Sequence, residues 1–170
     1  MCICHNKKII FIHIPKNAGT SVLSYLNTSI ENILPDSNWE DYYYQYQKYW
    51  DSYTKFSIIR NPYCRFKSIY RHLRLRSNIN EFANLVKEKS FIVAKPQSQF
   101  ICDKNKIIVD KLIRYENLNQ ELEKIGIYNF PQKNKSKIIS NDRLQMNEKT
   151  VKIINQIYKK DFEILGYEYN

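Results

Sequence analysis

One stretch near the start of the chain organises the rest: Lys7-Lys8-Ile9-Ile10-Phe11-Ile12-His13-Ile14-Pro15-Lys16-Asn17-Ala18-Gly19-Thr20-Ser21. Residues 9–14 are β-branched or aromatic except at His13, a pattern that predicts a strand buried on both faces in a parallel sheet. Pro15 ends this strand, because proline has no N–H to donate to the ladder. Gly19 permits a tight turn, and the two hydroxyl residues after it favour the start of a helix.

A strand, a short loop and a helix start together favour anion binding. Unpaired N–H groups and the positive end of the helix dipole point the same way there, and Lys16 adds a full positive charge. The loop is not a Walker A motif, in which the lysine directly precedes the hydroxyl residue. The sequence therefore predicts a distinct anion cradle built from Lys16, Asn17, Ala18, Gly19, Thr20 and Ser21.

Strands and helices alternate along the rest of the chain. Residues 55–60 and residues 107–115 predict two further buried strands, and helical patterns separate the strands. This order predicts a single α/β domain over residues 1–170, three-layered and P-loop-like, with a mostly parallel central sheet flanked by helices. Residues 39–53 predict a helix with an aromatic stripe, either packed in the core or lining a cleft where rings stack on a ligand.

A second anion site is predicted after the second strand, in the segment from Arg60 to Ser68. Ligands of such sheets bind beyond the carboxyl ends of the strands, where Lys16 and Arg60 both lie. Arg60 offers a planar fork of donors and Ser68 a hydroxyl, so both can converge on one anion.

Composition narrows the choice of partner. Lys plus Arg outnumber Asp plus Glu by 27 to 17, which gives a net charge of +10 and favours anionic ligands. No apolar run approaches the ~20 residues of a membrane span, and no signal peptide is evident, so we expect a soluble, cytoplasmic chain. Cys2, Cys4 and His5 lack a second ligand pair, so we predict no metal site.

The motifs in these segments resemble those of the sulfotransferases, in particular the carbohydrate branch with its Golgi enzymes and its shorter microbial and viral relatives. Residues 13–21 resemble the family pattern hIPKxxGTS, and residues 60–68 resemble RNPxxRxxS. Further matches follow in the same order over almost the whole chain: Pro96-Gln97-Ser98, Arg114-Tyr115-Glu116-Asn117-Leu118, Asn134-Lys135-Ser136, Tyr158-Lys159-Lys160-Asp161-Phe162 and Gly166-Tyr167.

The resemblance implies a cofactor with two anionic ends, 3′-phosphoadenosine 5′-phosphosulfate (PAPS), and an acceptor hydroxyl, with a saccharide as the expected acceptor. It implies that residues 16–21 hold the 5′-phosphosulfate and that Arg60 and Ser68 hold the 3′-phosphate. Lys135 and Ser136 resemble a later cofactor loop of the family. Lys16 is then the catalytic cation that stabilises charge on the leaving phosphate, and no metal is required.

A general base is the part of the pattern that this chain lacks. Many family members carry a histidine between the two loops, whereas this sequence has none between His13 and His72. A carboxylate could take its place. The candidates are Glu31, Asp36, Glu40 and Asp41. Asp36 lies nearest the usual position and is our candidate base, with Glu40 as the alternative.

Two other functions stay open on the sequence alone. One is a P-loop-like kinase that uses ATP and Mg²⁺, although the position of the lysine and the Arg60–Ser68 segment argue against it. The other is a non-catalytic domain that binds PAPS, another anion or nucleic acid, which the positive charge and the missing histidine would allow. No nucleic-acid-binding motif is present, so we expect no nucleic-acid partner.

Overall fold

The computed structural model describes residues 3–26, 38–75, 77–130 and 144–170. The strands are β1 (Ile3–Cys4), β2 (Ile9–Ile12), β3 (Thr54–Ile59), β4 (Cys102–Asp103), β5 (Lys106–Ile107) and β6 (Lys111–Arg114). The helices are α1 (Gly19–Tyr25), α2 (Trp39–Trp50), α3 (Pro62–Leu73), α4 (Ile79–Glu88), α5 (Ser98–Ile101), α6 (Leu118–Glu123), α7 (Glu148–Ile157) and α8 (Lys159–Leu165).

The chain groups into two compact units. The first contains Met1–Arg60 and Gln97–Asn134, and the second contains Asn61–Pro96 and Lys135–Asn170. The strands all belong to the first unit, together with α1, α2, α5 and α6. That residues 1–170 form one domain stays a prediction.

A mostly parallel sheet forms the centre of the first unit. Its strand order is β1-β2-β3-β6, with β1 antiparallel to β2 and the two other pairs parallel. Every residue of β2 is buried, as the apolar run predicts, and Phe11 lies opposite Phe56 in the register. The predicted α/β class with a mostly parallel, helix-flanked sheet is confirmed, and Lys16 and Arg60 both follow carboxyl ends of parallel strands.

The third predicted strand is divided in the structure. Its first residue, Ile107, belongs to the short antiparallel hairpin β4–β5, and the parallel strand begins only at Lys111. Asp110 marks the division: its backbone N–H donates to Lys55 O at 2.9 Å, and its side chain accepts from Lys55 N at 2.7 Å. A side chain thus takes the place of a ladder partner just before β6 begins.

The aromatic helix α2 buries only part of its stripe. Tyr42 and Tyr46 are buried, which confirms core packing for these two rings, while Tyr43 and Tyr49 are only partly buried. Asn38 caps the helix by accepting from the backbone N–H groups of Glu40 and Asp41, and the Asp41 carboxylate accepts from Asn38 N in return.

The second unit is helical. Its core is formed by apolar side chains of α3, α4, α7 and α8, with Phe66 and Phe82 packed ring to ring at 5.0 Å between centroids. Arg65 is only 1% exposed and donates to the carbonyl oxygens of Val93 and Lys95, so it holds the segment that precedes Gln97. No helix in the described ranges has the length and apolar character that crossing a bilayer requires.

Candidate functional site

The loop between β2 and α1 has an unusual backbone. Lys16 has φ = 71° and Ala18, the residue just before α1, has φ = 60°, so two non-glycine residues occupy the left-handed region. This conformation costs roughly 1–2 kcal/mol for each such residue. Backbone strain of this kind concentrates in ligand clamps, and left-handed residues in a loop turn successive N–H groups toward one concave side.

The buried side chain of Asn17 anchors this loop to the neighbouring segments. This side chain is fully buried, and its amide Nδ2 donates to Ile58 O at 2.7 Å and to Gln97 Oε1 at 2.7 Å. These bonds tie the loop to the end of β3. The Asn17 side chain therefore acts as an anchor in the structure, whereas the sequence predicts this residue only as a member of the cofactor-binding loop.

Gly19 is required by a close approach of His13. A Cβ atom at position 19 would lie 2.0 Å from His13 Cδ2 and 2.1 Å from His13 Nε2, closer than any real contact. His13 thus packs directly on the first residue of α1. Of the next two loop residues, Thr20 is exposed and Ser21 is buried.

Arg60 lies at the end of β3 and is held on several sides. Its guanidinium carbon lies 4.0 Å from the centroid of the Tyr115 ring, and its Nη1 donates to Lys16 O at 3.3 Å. Its backbone N–H donates to Gln97 Oε1 at 2.9 Å, and its carbonyl accepts from Gln97 Nε2 at 2.8 Å. The Nε atom is buried and has no hydrogen-bond partner among the described residues.

Lys16 and Arg60 form a pair of neighbouring cations. Burial, and secondarily the charge of Arg60, lower the pKa of Lys16 below its usual 10.5. Within residues 3–26, 38–75, 77–130 and 144–170, neither cation forms a salt bridge to a carboxylate. Two like charges in a partly desolvated position are unfavourable alone and become favourable when an anion binds between or beside them.

The other predicted site residues lie elsewhere or outside the described ranges. Ser68 is buried on α3 in the second unit. Glu40 is exposed in the first turn of α2, where its carboxylate accepts from Asn38 Nδ2 at 3.3 Å. Asp36, Lys135 and Ser136 lie outside the described residues, so their predicted roles stay predictions.

Two residues at this site were not predicted to contact Arg60: Gln97 and Tyr115. Both lie in segments that the family resemblance includes, Pro96-Gln97-Ser98 and the segment that begins with Arg114-Tyr115. The tyrosine beside a strand end and the glutamine after a proline were the available signals. The part of the chain with described positions contains no group of three or more side chains suited to hold a metal ion.

Comparison with known proteins gives one family. No curated protein and no solved structure is significantly similar to the chain. The model of the Sulfotransferase family, however, matches residues 1–168. This match includes both units and both motif loops, and the family includes carbohydrate sulfotransferases. The cation pair at the ends of two parallel strands thus lies in a transferase fold, and the chain belongs to the sulfotransferase family.

Proposed function

We propose that the protein transfers a sulfuryl group from PAPS to a hydroxyl group of a carbohydrate. The family match supports sulfuryl transfer in general. The observation that carries the proposal for this chain is the pair formed by Lys16 and Arg60, which share a hydrogen bond and lack a carboxylate partner in the described ranges.

The residues present fit a donor with anionic groups. Lys16 and Arg60 supply two positive charges, and the buried Arg60 Nε offers a donor that the described residues leave unused. The left-handed residues on either side of Asn17 shape the loop that carries Lys16. Bound PAPS would supply the sulfuryl group and the phosphate that leaves.

Lys16 is the catalytic residue of the proposal. Negative charge grows on the leaving phosphate as the sulfuryl group departs, and an ammonium group beside it stabilises that charge. Its partial burial strengthens the effect, because water screens the charge less there. A sulfuryl group carries less charge than a phosphoryl group, so the mechanism requires no Mg²⁺.

The remaining cofactor contacts are proposed from the resemblance. Residues 16–21 surround the 5′-phosphosulfate, with Thr20 exposed at the start of α1. Arg60 and Ser68 bind the 3′-phosphate, which distinguishes PAPS from ATP. Lys135 and Ser136 contribute a further cofactor loop. Substitution of each residue, followed by measurement of the KM for PAPS, tests these assignments singly.

The general base is proposed to be Asp36, with Glu40 as the alternative. Replacing the base removes the group that takes the acceptor's proton, which typically contributes roughly 10²–10⁴-fold to the rate. We therefore expect Asp36→Asn to lower kcat by such a factor and to remove the acidic limb of the pH–rate profile. Asp103→Asn is the matched control, because Asp103 is an exposed aspartate of β4. If Glu40→Gln alone shows this loss, the base is Glu40, and if neither variant does, both assignments are wrong.

Ligand-induced stabilisation tests the donor. Adenosine 3′,5′-bisphosphate at 100 times its Kd should add about 2.7 kcal/mol to the free energy of unfolding. Stabilisation by ATP with Mg²⁺ but not by the bisphosphate would favour a kinase, and stabilisation by oligonucleotide alone would favour a nucleic-acid binder. Transfer of labelled sulfate from PAPS to a panel of glycans then tests catalysis. Bisphosphate binding without transfer to any acceptor would indicate a non-catalytic domain.

A further inference from the structure

Gln97 connects the β2–α1 loop, which carries Lys16, to the end of β3, where Arg60 lies. It is fully buried, and its side-chain amide contacts both Asn17 and Arg60. Its Oε1 accepts from Asn17 Nδ2 at 2.7 Å and from Arg60 N at 2.9 Å, and its Nε2 donates to Arg60 O at 2.8 Å. The Gln97 side chain is thus hydrogen-bonded to both of the segments that carry Lys16 and Arg60.

The hydrogen bonds between Gln97 and the Arg60 backbone take the place of the bonds that a neighbouring strand would make. The last register pair between β3 and β6 is Ile59 with Arg114, so Arg60 has left the ladder. Its N–H and C=O are instead paired with one amide side chain, which imitates a backbone neighbour. Because both main-chain groups of Arg60 are held, the direction in which its side chain leaves the backbone is held as well.

The bond to Asn17 extends this control to the lysine loop. Asn17 lies between the left-handed residues Lys16 and Ala18, whose strained conformation needs external support. The same Asn17 amide nitrogen also donates to Ile58 O at 2.7 Å. These hydrogen bonds couple the Lys16 loop to the end of β3. The bond from Arg60 Nη1 to Lys16 O is a further direct link between the two segments.

We propose that Gln97 is a positioning residue of the donor site, which holds Arg60 and the Lys16 loop in register so that both cations engage one donor molecule. The inference rests on the proposed function in naming PAPS as that donor. Gln97 itself binds no ligand and acts through Arg60 and Asn17. A displacement of about 1 Å at a reacting centre can cost roughly 10²-fold in rate, so a single buried amide is sufficient to control donor use.

A double-mutant cycle distinguishes positioning from general stabilisation. Gln97→Met keeps the size of the side chain but removes its hydrogen bonds to Asn17 and Arg60. We expect it to lower kcat/KM for PAPS by roughly 10- to 100-fold in the wild-type background, with the KM of the acceptor unchanged. In an Arg60→Ala background the same change should cost clearly less, because one of the two cations that Gln97 positions is already gone and only its hold on the Lys16 loop remains to be lost. An equal loss in both backgrounds would overturn the inference.

Two further variants, at Gln99 and at Gln97 itself, accompany the double-mutant cycle. Gln99→Met makes the same chemical change two residues away, at an exposed position of α5, and should leave every parameter unchanged. Gln97→Glu keeps an acceptor but loses the donor to Arg60 O, and it serves if Gln97→Met fails to fold. Its loss must likewise be smaller when Arg60 is alanine, or the inference is wrong.

Binding of adenosine 3′,5′-bisphosphate and of inorganic pyrophosphate, measured by calorimetry on the same four proteins of the cycle, separates this inference from the proposed function. If pyrophosphate binding shows the coupling between Gln97 and Arg60 while the bisphosphate does not bind, PAPS is wrong and the positioning role stands. If the bisphosphate binds but the coupling is absent, the positioning role is wrong and the donor stands. If neither ligand binds, both are wrong.

Discussion

At the scale of single residues, Lys16 opposes folding and favours binding. Its ammonium group is partly buried beside the Arg60 guanidinium, and both effects lower its pKa. A lysine whose folded pKa lies below its unfolded value reduces stability in full below the folded pKa, and this cost is relieved as pH rises from the folded pKa to the unfolded one. Functional sites often carry such a cost, because the same unfavourable charge is neutralised when the anionic ligand binds.

We predict that Lys16→Met is more stable than wild type without ligand and much slower with it. The advantage in stability should be largest at neutral pH and should narrow as pH rises toward 10.5, since the wild-type ammonium loses its proton over that interval. Turnover should fall by roughly 10²–10³-fold, as for the loss of one well-placed donor to a transition-state charge. Urea unfolding across pH and initial-rate measurements check the two parts.

Lys87→Met is the control for this prediction, because Lys87 is exposed on α4. It should change neither the pH dependence of stability nor turnover. Wild-type turnover in Lys16→Met would remove Lys16 from the mechanism, and an unchanged stability curve would contradict the electrostatic account alone.

At the scale of elements, the connection from β2 to α1 is held by contacts that leave little room for change. Asn17 ties it to the end of β3, and His13 packs on Gly19 from the side of the strand. Because α1 begins at Gly19, the position of the helix start depends on this contact. The loop is therefore placed by packing as much as by its own turn residues.

We predict that Gly19→Ala destabilises the protein by about 1–3 kcal/mol, the usual cost of forcing an extra group into a packed site. The new Cβ would lie 2.0 Å from the present position of His13 Cδ2, so the imidazole ring must move. The same change in a His13→Ala background should cost clearly less, because the obstructing ring is absent. Urea unfolding of the four proteins measures the difference, and equal costs in both backgrounds would show that His13 is not the obstacle.

At the scale of the whole molecule, the chain carries a net charge of +10. A basic protein attracts anions before contact, and such steering raises association rates by about 10–10³-fold, falling steeply with ionic strength. The dispersed lysines would contribute to the rate at which an anionic donor arrives, whereas the partly buried pair of Lys16 and Arg60 would hold it once bound.

We predict that added salt slows association of adenosine 3′,5′-bisphosphate far more than it speeds dissociation. Screening acts over about 10 Å at 0.1 M salt, so it weakens exposed charges more than partly buried ones. Stopped-flow measurement from low salt to about 0.5 M should show association falling roughly tenfold or more. A salt effect confined to the dissociation rate would contradict the view that exposed charges speed association while Lys16 and Arg60 retain the bound ligand.

The fold class and the pair of motif loops could both be predicted from local sequence patterns. Both depend on the local order of residues, because an apolar strand, a turn with Lys16 and a helix start all lie within fifteen residues. The same order of strand, turn and helix recurs around Arg60. Local patterns did not determine where the third strand begins, because Asp110 reaches across to Lys55 and replaces part of the ladder. That choice depends on a neighbouring strand 55 positions away in sequence.

The residues that hold Lys16 and Arg60 in place could not be predicted from such patterns, because they come from segments that meet only in the folded chain. Gln97 lies 80 positions from Asn17 and 37 from Arg60, and no periodicity or spacing rule connects them. Tyr115 likewise reaches Arg60 only because β3 and β6 are neighbours in the sheet. A buried side-chain amide such as that of Gln97 pairs with whichever backbone and side-chain groups folding brings to it. A local pattern can therefore predict the charged residues of a site, while the contacts that orient them are set when distant segments pack together.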